Sequence, residues 1–135
     1  MRPTNTVTVF IVDGSTILQE RLGAMLSDLD GVEVVGRAQN TARAVSAIRT
    51  HKPDLVIQDV QKADGSGLEL LSAIKGDKDS PVVIVLTNDA DPPYRRAYLQ
   101  AGADYFLDKS SEFDQILAIL RRLMDSQAFR GRGVQ

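Results

Sequence analysis

Two apolar periods alternate along this 135-residue chain, and the alternation leaves few architectures open. Val7 to Val12 is an unbroken run, rich in β-branched residues, that reads as a buried strand. Ile17, Leu18, Leu22, Met25, Leu26 and Leu29 then fall at helical spacing. Val32 to Ala38 reads as a second strand, less buried than the first. Ala42, Ala44, Val45 and Ile48 mark a helix capped by Asn40 or Thr41 and stopped by Pro53. Leu55 to Val60 is a third strand, followed by a short helix through Leu68, Leu70, Leu71 and Ile74. Val82 to Thr87 is the fourth strand, and a helix over residues 93–101 ends at Gly102, a residue suited to a helix C-terminus. Residues 105–107 make a short fifth strand. A final amphipathic helix over 113–124 carries Phe113, Ile116, Leu117, Leu120, Leu123 and Met124 on one face.

Five βα units in succession predict a doubly wound α/β fold, a five-stranded parallel sheet with helices on both faces. Strands one, three and four are nearly all apolar, as strands buried on both sides should be. The length fits one domain, expected over residues 1–126, with 127–135 as a disordered tail around Arg130 and Arg132.

Composition removes whole classes of function. There is no cysteine, so disulfides, thiol nucleophiles and Cys-based metal sites are excluded, and a single histidine excludes a His-rich site. A net charge of −2 gives no electrostatic basis for direct nucleic-acid binding. The longest apolar runs, Val82 to Leu86 and Ile116 to Leu120, are far too short to cross a membrane. No small-residue cleavage site precedes Asp13, so the N-terminus does not read as a signal peptide. A cytoplasmic protein without a membrane partner is expected.

In an open α/β sheet, ligands bind beyond the carboxyl ends of the strands. The first strand ends in Asp13, the third in Asp59 and the fourth in Thr87, while the fifth is followed by Asp108 and Lys109. Each alone has an ordinary role: a turn-forming aspartate, a β-branched strand residue, a solvated lysine. Asp13, Asp59, Thr87 and Lys109 together bring two carboxylates, a hydroxyl and an ammonium to one edge. Paired carboxylates repel unless a cation joins them, and such oxygen donors with a backbone carbonyl suit Mg²⁺. The lysine and hydroxyl suit a group with several negative oxygens. Phosphoryl transfer asks a protein chiefly for positioning and charge neutralisation. The loop after Asp59 contains Gly65 and Gly67, which allow backbone conformations that side chains oppose.

The stretches VFIVDGSTILQERLGAML, PDLVIQDVQKADGSGLELL and VVIVLTNDADPPYRRAYLQAGADYFLDKS, in that order and spacing, resemble a response-regulator receiver domain of two-component signalling. The resemblance covers Val7 to Met124, nearly the whole chain. It implies the flavodoxin/CheY-like strand order 2-1-3-4-5. By the same resemblance Asp59 is the aspartate phosphorylated by a partner histidine kinase or phosphotransfer protein. Asp13 and Asp59 hold Mg²⁺ with the backbone carbonyl of Gln61. Lys109 pairs with the phosphoryl oxygens, Thr87 hydrogen-bonds them, and Phe106 occupies the aromatic switch position. The response remodels the surface of the fourth helix, fifth strand and fifth helix, where an effector, or a second copy forming a dimer, binds. Such a domain is a phosphoacceptor and not an enzyme acting on other substrates.

Four positions depart from the family pattern. Gly14 stands where receivers usually carry a second acid, which predicts weakened Mg²⁺ binding. Ala63 replaces a proline in the loop, Asn88 a small residue after Thr87, and Ser110 the proline that many members carry after the lysine. Gly14 raises the alternative of a pseudo-receiver, an interaction module no longer switched by phosphorylation. Tyr94, Tyr98, Tyr105, Arg95 and Arg96 lie near the surface that either version would present. A Mg²⁺-dependent phosphatase of similar topology would need D-x-D-x-T where the chain reads Asp13-Gly14-Ser15-Thr16. No effector-sized segment follows the domain, so its output is expected through protein contacts or through an effector domain absent from this sequence.

Overall fold

The computed structural model describes residues 6–12, 16–60, 66–77, 80–87, 91–109, 111–112 and 114–131; for residues 16–19, 66 and 126–131 it describes the backbone only. Every expected element is present, in the order β1 (Val7–Val12), α1 (Thr16–Ser27), β2 (Val32–Ala38), α2 (Thr41–His51), β3 (Leu55–Val60), α3 (Ser66–Lys75), β4 (Val82–Thr87), α4 (Pro92–Gln100), β5 (Tyr105–Asp108) and α5 (Gln115–Gly131). The strands form one parallel sheet ordered β2-β1-β3-β4-β5. Chain order reverses between β1 and β3, the switch point at which such sheets bind ligands.

Side-chain alternation divides the sheet into two packed sides. Val7, Val9 and Ile11 of β1, Leu55 and Ile57 of β3, and Ile84 and Leu86 of β4 pack with Leu22 and Leu26 of α1 and Ile116, Ile119 and Leu120 of α5. Phe10, Val12, Val56, Val60, Val83, Val85 and Phe106 face the other way, onto Ala44 and Ile48 of α2, Leu70, Leu71 and Ile74 of α3, and Tyr98 of α4. β1 is buried at all six positions and β2 at none, which matches their central and edge places.

The helix ends follow local chemistry. Asn40 caps α2, its side chain accepting a hydrogen bond from the Arg43 amide, and Lys52 ends the helix in a left-handed conformation one residue before Pro53. Gly102, at φ +116°, follows the α4 cap residue Ala101. Some boundaries differ from expectation: β5 extends to Asp108 and α5 begins at Gln115. α4 begins at Pro92, because proline is favoured in a first helical turn where its missing amide is not needed. α5 continues to Gly131, so the expected tail is helical through that residue; no glycine or proline interrupts the chain before it. The buried face of α5 includes Ile119, while Leu117 is only partly covered and Phe113 lies outside the described residues. Among the described residues no helix is long and apolar enough to cross a membrane.

Candidate functional site

Asp59 lies one residue before the end of β3, paired in register with Leu86 of β4. Its neighbour Gln58 pairs with Val12, so β1 ends beside it. Strand alternation turns Asp59 towards the α1/α5 side, in line with Leu55 and Ile57. The carboxylate is nearly desolvated, with 1% of its side chain exposed, and forms an ion pair with the ammonium of Lys109, itself 13% exposed. Burying a lone carboxylate costs several kcal/mol, on the order of the energies that make unpaired buried charges rare. Lys109 is therefore part of what lets Asp59 be buried there.

The backbone fixes Lys109 in place. Its amide donates to the Thr87 carbonyl at 2.9 Å, which carries the β4–β5 ladder one residue past the strand. The next turn is secured by Asp108: its amide donates to Glu112 at 3.0 Å and its carboxylate accepts from the Ser111 amide at 3.2 Å. Asp108 thus shapes the turn after Lys109.

Thr87 is buried and ends β4 opposite both Val60 and Asp108. By alternation with Val83 and Val85 it belongs to the α2/α3/α4 side. Asp59 and Thr87 thus come off neighbouring strands on opposite sides of the sheet, one residue apart in register. Only at the strand ends can one bound group reach both. Phe106, opposite Val85 on β5, is buried on the Thr87 side. Its ring lies 5.8 Å from that of Tyr98, and the Arg95 guanidinium sits 5.9 Å over it while donating to the Phe106 carbonyl at 3.3 Å.

Of the six residues singled out from the sequence, the structure brings together Asp59, Lys109 and Thr87 and places Phe106 behind Thr87. Asp13 and Gln61 lie outside the described residues, as do Gly14, Ala63, Asn88 and Ser110. Sequence reasoning missed two residues. Gln58 is an amide buried within β3, and its position inside an apolar run was the available signal. Tyr98 was grouped with surface aromatics, yet it is buried, whereas Tyr94, one turn earlier, is exposed.

The family model described as the response regulator receiver domain matches residues 9–121. The response regulator GacA of Pseudomonas viridiflava is 27% identical over 91% of the chain, which spans 58% of that protein. The transcriptional regulatory protein DesR of Bacillus subtilis is 28% identical over 90% of the chain, which spans 60% of it. The chain thus spans less than two thirds of the length of these relatives. Among solved structures, the response regulator domain of Thermotoga maritima CheB superposes with a TM-score of 0.75 at 24% identity, over 89% of this chain and 97% of that one. With the sheet order and the paired acidic strand end, these matches establish that the chain belongs to the response regulator receiver domain family.

Proposed function

We propose that Asp59 is the phosphoacceptor of a two-component switch, receiving its phosphoryl group from the phosphohistidine of a sensor kinase or phosphotransfer protein. The observation that carries this reading is the buried Asp59–Lys109 pair at the carboxyl end of the sheet, with Thr87 one register step away. A carboxylate oxygen of Asp59 attacks phosphorus, and a P–O bond forms as the P–N bond breaks. The electron pair leaves on the imidazole nitrogen, which takes a proton from water. Lys109 then exchanges its carboxylate partner for phosphoryl oxygens, and Thr87 donates its hydroxyl to them. Hydrolysis of the acyl phosphate returns the carboxylate and inorganic phosphate. The chain acts as a phosphoacceptor throughout.

The donor chemistry at this edge suits Mg²⁺: a desolvated carboxylate on β3, beside the end of β1 from which Asp13 follows. Asp13, Asp59 and the Gln61 carbonyl would hold the ion, which would supply positive charge against the phosphoryl oxygens. Gly14 thins this set by one carboxylate, so weak Mg²⁺ binding is part of the reading. The response emerges on α4, β5 and α5, where an effector or a second copy would dock. The relatives include regulators longer than this chain, which suits an effector domain elsewhere in the protein. Kinase and receiver meet in the cytoplasm on this account.

Gly14 also favours one second reading, a pseudo-receiver that keeps the fold and works through its surface alone. Acetyl phosphate and Mg²⁺, followed by intact-mass measurement, separate the two. A switch gains one phosphoryl group that Asp59→Ala does not gain. If only Gly14→Asp reacts, the natural chain is a pseudo-receiver.

A further inference from the structure

Gln58 is the residue before Asp59, and strand alternation sends its side chain to the opposite side of the sheet, where Val56 and Val60 pack. It is 2% exposed. Its Nε2 donates to the Gly67 carbonyl in the first turn of α3 at 2.8 Å. A carbonyl can only accept, so the amide's orientation is set and Oε1 points away from Gly67. That oxygen is buried and accepts no hydrogen bond from any described residue. Buried polar atoms are rarely left so, and an amide with one end satisfied has an acceptor in reserve for a second arrangement.

The third group at this point is Tyr98 of α4, also 2% exposed. Its hydroxyl oxygen lies 2.5 Å from where a Cβ on Gly67 would stand, and Gln58 Nε2 lies 3.1 Å from the same position. Only glycine lets the first turn of α3 approach them so closely. The ring of the same tyrosine packs at a tilt against Phe106, 38° between the two planes, and Arg95 covers Phe106. One side chain therefore spans from the first turn of α3 to the aromatic of β5.

We propose that Gln58 and Tyr98 form a coupling node through which displacement of the first turn of α3 is passed to α4 and Phe106, in parallel with Thr87. The inference rests on the phosphoacceptor reading for its input, but the node is a contact of the unliganded protein. Both residues are positioning residues: neither touches the reacting atoms. When the first turn of α3 shifts, Gln58 loses or reorients its bond to Gly67, and the Tyr98 hydroxyl packed against that turn must move with it. The ring carries the motion to Phe106.

The test uses Gln58→Met and Tyr98→Phe, which keep volume and ring, and the double variant. With Mg²⁺ and beryllofluoride as the phosphoryl mimic, amide chemical shifts are followed over residues 92–108. The node predicts that both variants still saturate, read from amides flanking Asp59, while the response of the α4 amides falls to roughly half or less of wild type. Full-sized α4 responses in both saturated variants overturn it. If wild type takes up no beryllofluoride, the phosphoacceptor reading fails, and the node is judged on the unliganded chain. Hydrogen exchange of the α4 amides then changes non-additively across the four proteins if the node exists, and additively if it does not.

Discussion

The two sides of the sheet are built to different rules. The side covered by α1 and α5 is aliphatic throughout its buried cluster, from Val7 to Leu120, with the charged pair of Asp59 and Lys109 at its rim. The side covered by α2, α3 and α4 holds the buried aromatics Phe10, Tyr98 and Phe106 and the polar groups Gln58 and Thr87. Aliphatic packing without hydrogen bonds holds one arrangement well, whereas polar and aromatic groups with directional contacts have discrete alternatives. The division suggests an acceptor mounted on the rigid side and a response on the adjustable one. They meet because β3 and β4 end one residue out of phase in facing, Asp59 to one side and Thr87 to the other.

Substitutions should separate the two sides. Leu86→Ala, in the aliphatic cluster, should cost about 2–5 kcal/mol in urea unfolding, as fully buried leucines generally do. Tyr98→Phe on the opposite side should cost far less; equal losses would break the distinction. Lys109→Met removes the ammonium that faces a buried carboxylate and should cost roughly 3–5 kcal/mol. In an Asp59→Asn background the same change should cost less than half as much, because no charge is left unpaired. A full loss there would show that Lys109 acts through packing. Gly67→Ala should cost about 1–3 kcal/mol by overpacking against the Tyr98 hydroxyl, and Tyr98→Phe should restore part of it. Lack of rescue would mean that the first turn of α3 can yield without the tyrosine. The smallest effect belongs to the pair of Arg49 in α2 and Asp77, two residues past the end of α3, whose side chains are 53% and 38% exposed. Arg49→Ala should shift stability by no more than about 0.5 kcal/mol, most of it lost in high salt.

The fold was legible because period and length were both clear: five short apolar runs, each followed by helical spacing, admit one common arrangement. The strand-end residues were legible for the same reason, since Asp59, Thr87 and Lys109 each sit where a run stops. Other features depended on tertiary placement. Tyr94 and Tyr98 are one helical turn apart and look equivalent in sequence, but docking of α4 exposes the first and buries the second. Ile119 and Leu117 of α5 exchange importance similarly, because the face that meets the sheet is set by the helix's rotation. Gln58 lay inside a run that read as a buried strand, and sequence offered no partner for its amide; Gly67 supplies one only once α3 folds back.

The central claim is that Asp59 is the group that accepts phosphate. After incubation with acetyl phosphate and Mg²⁺, borohydride reduction converts an aspartyl phosphate to homoserine, which peptide mass spectrometry can locate. The account predicts homoserine at position 59 and at no other aspartate, with a smaller yield in Lys109→Met. Homoserine at Asp13 or another carboxylate, or its absence from a protein shown to gain a phosphoryl group, would contradict it.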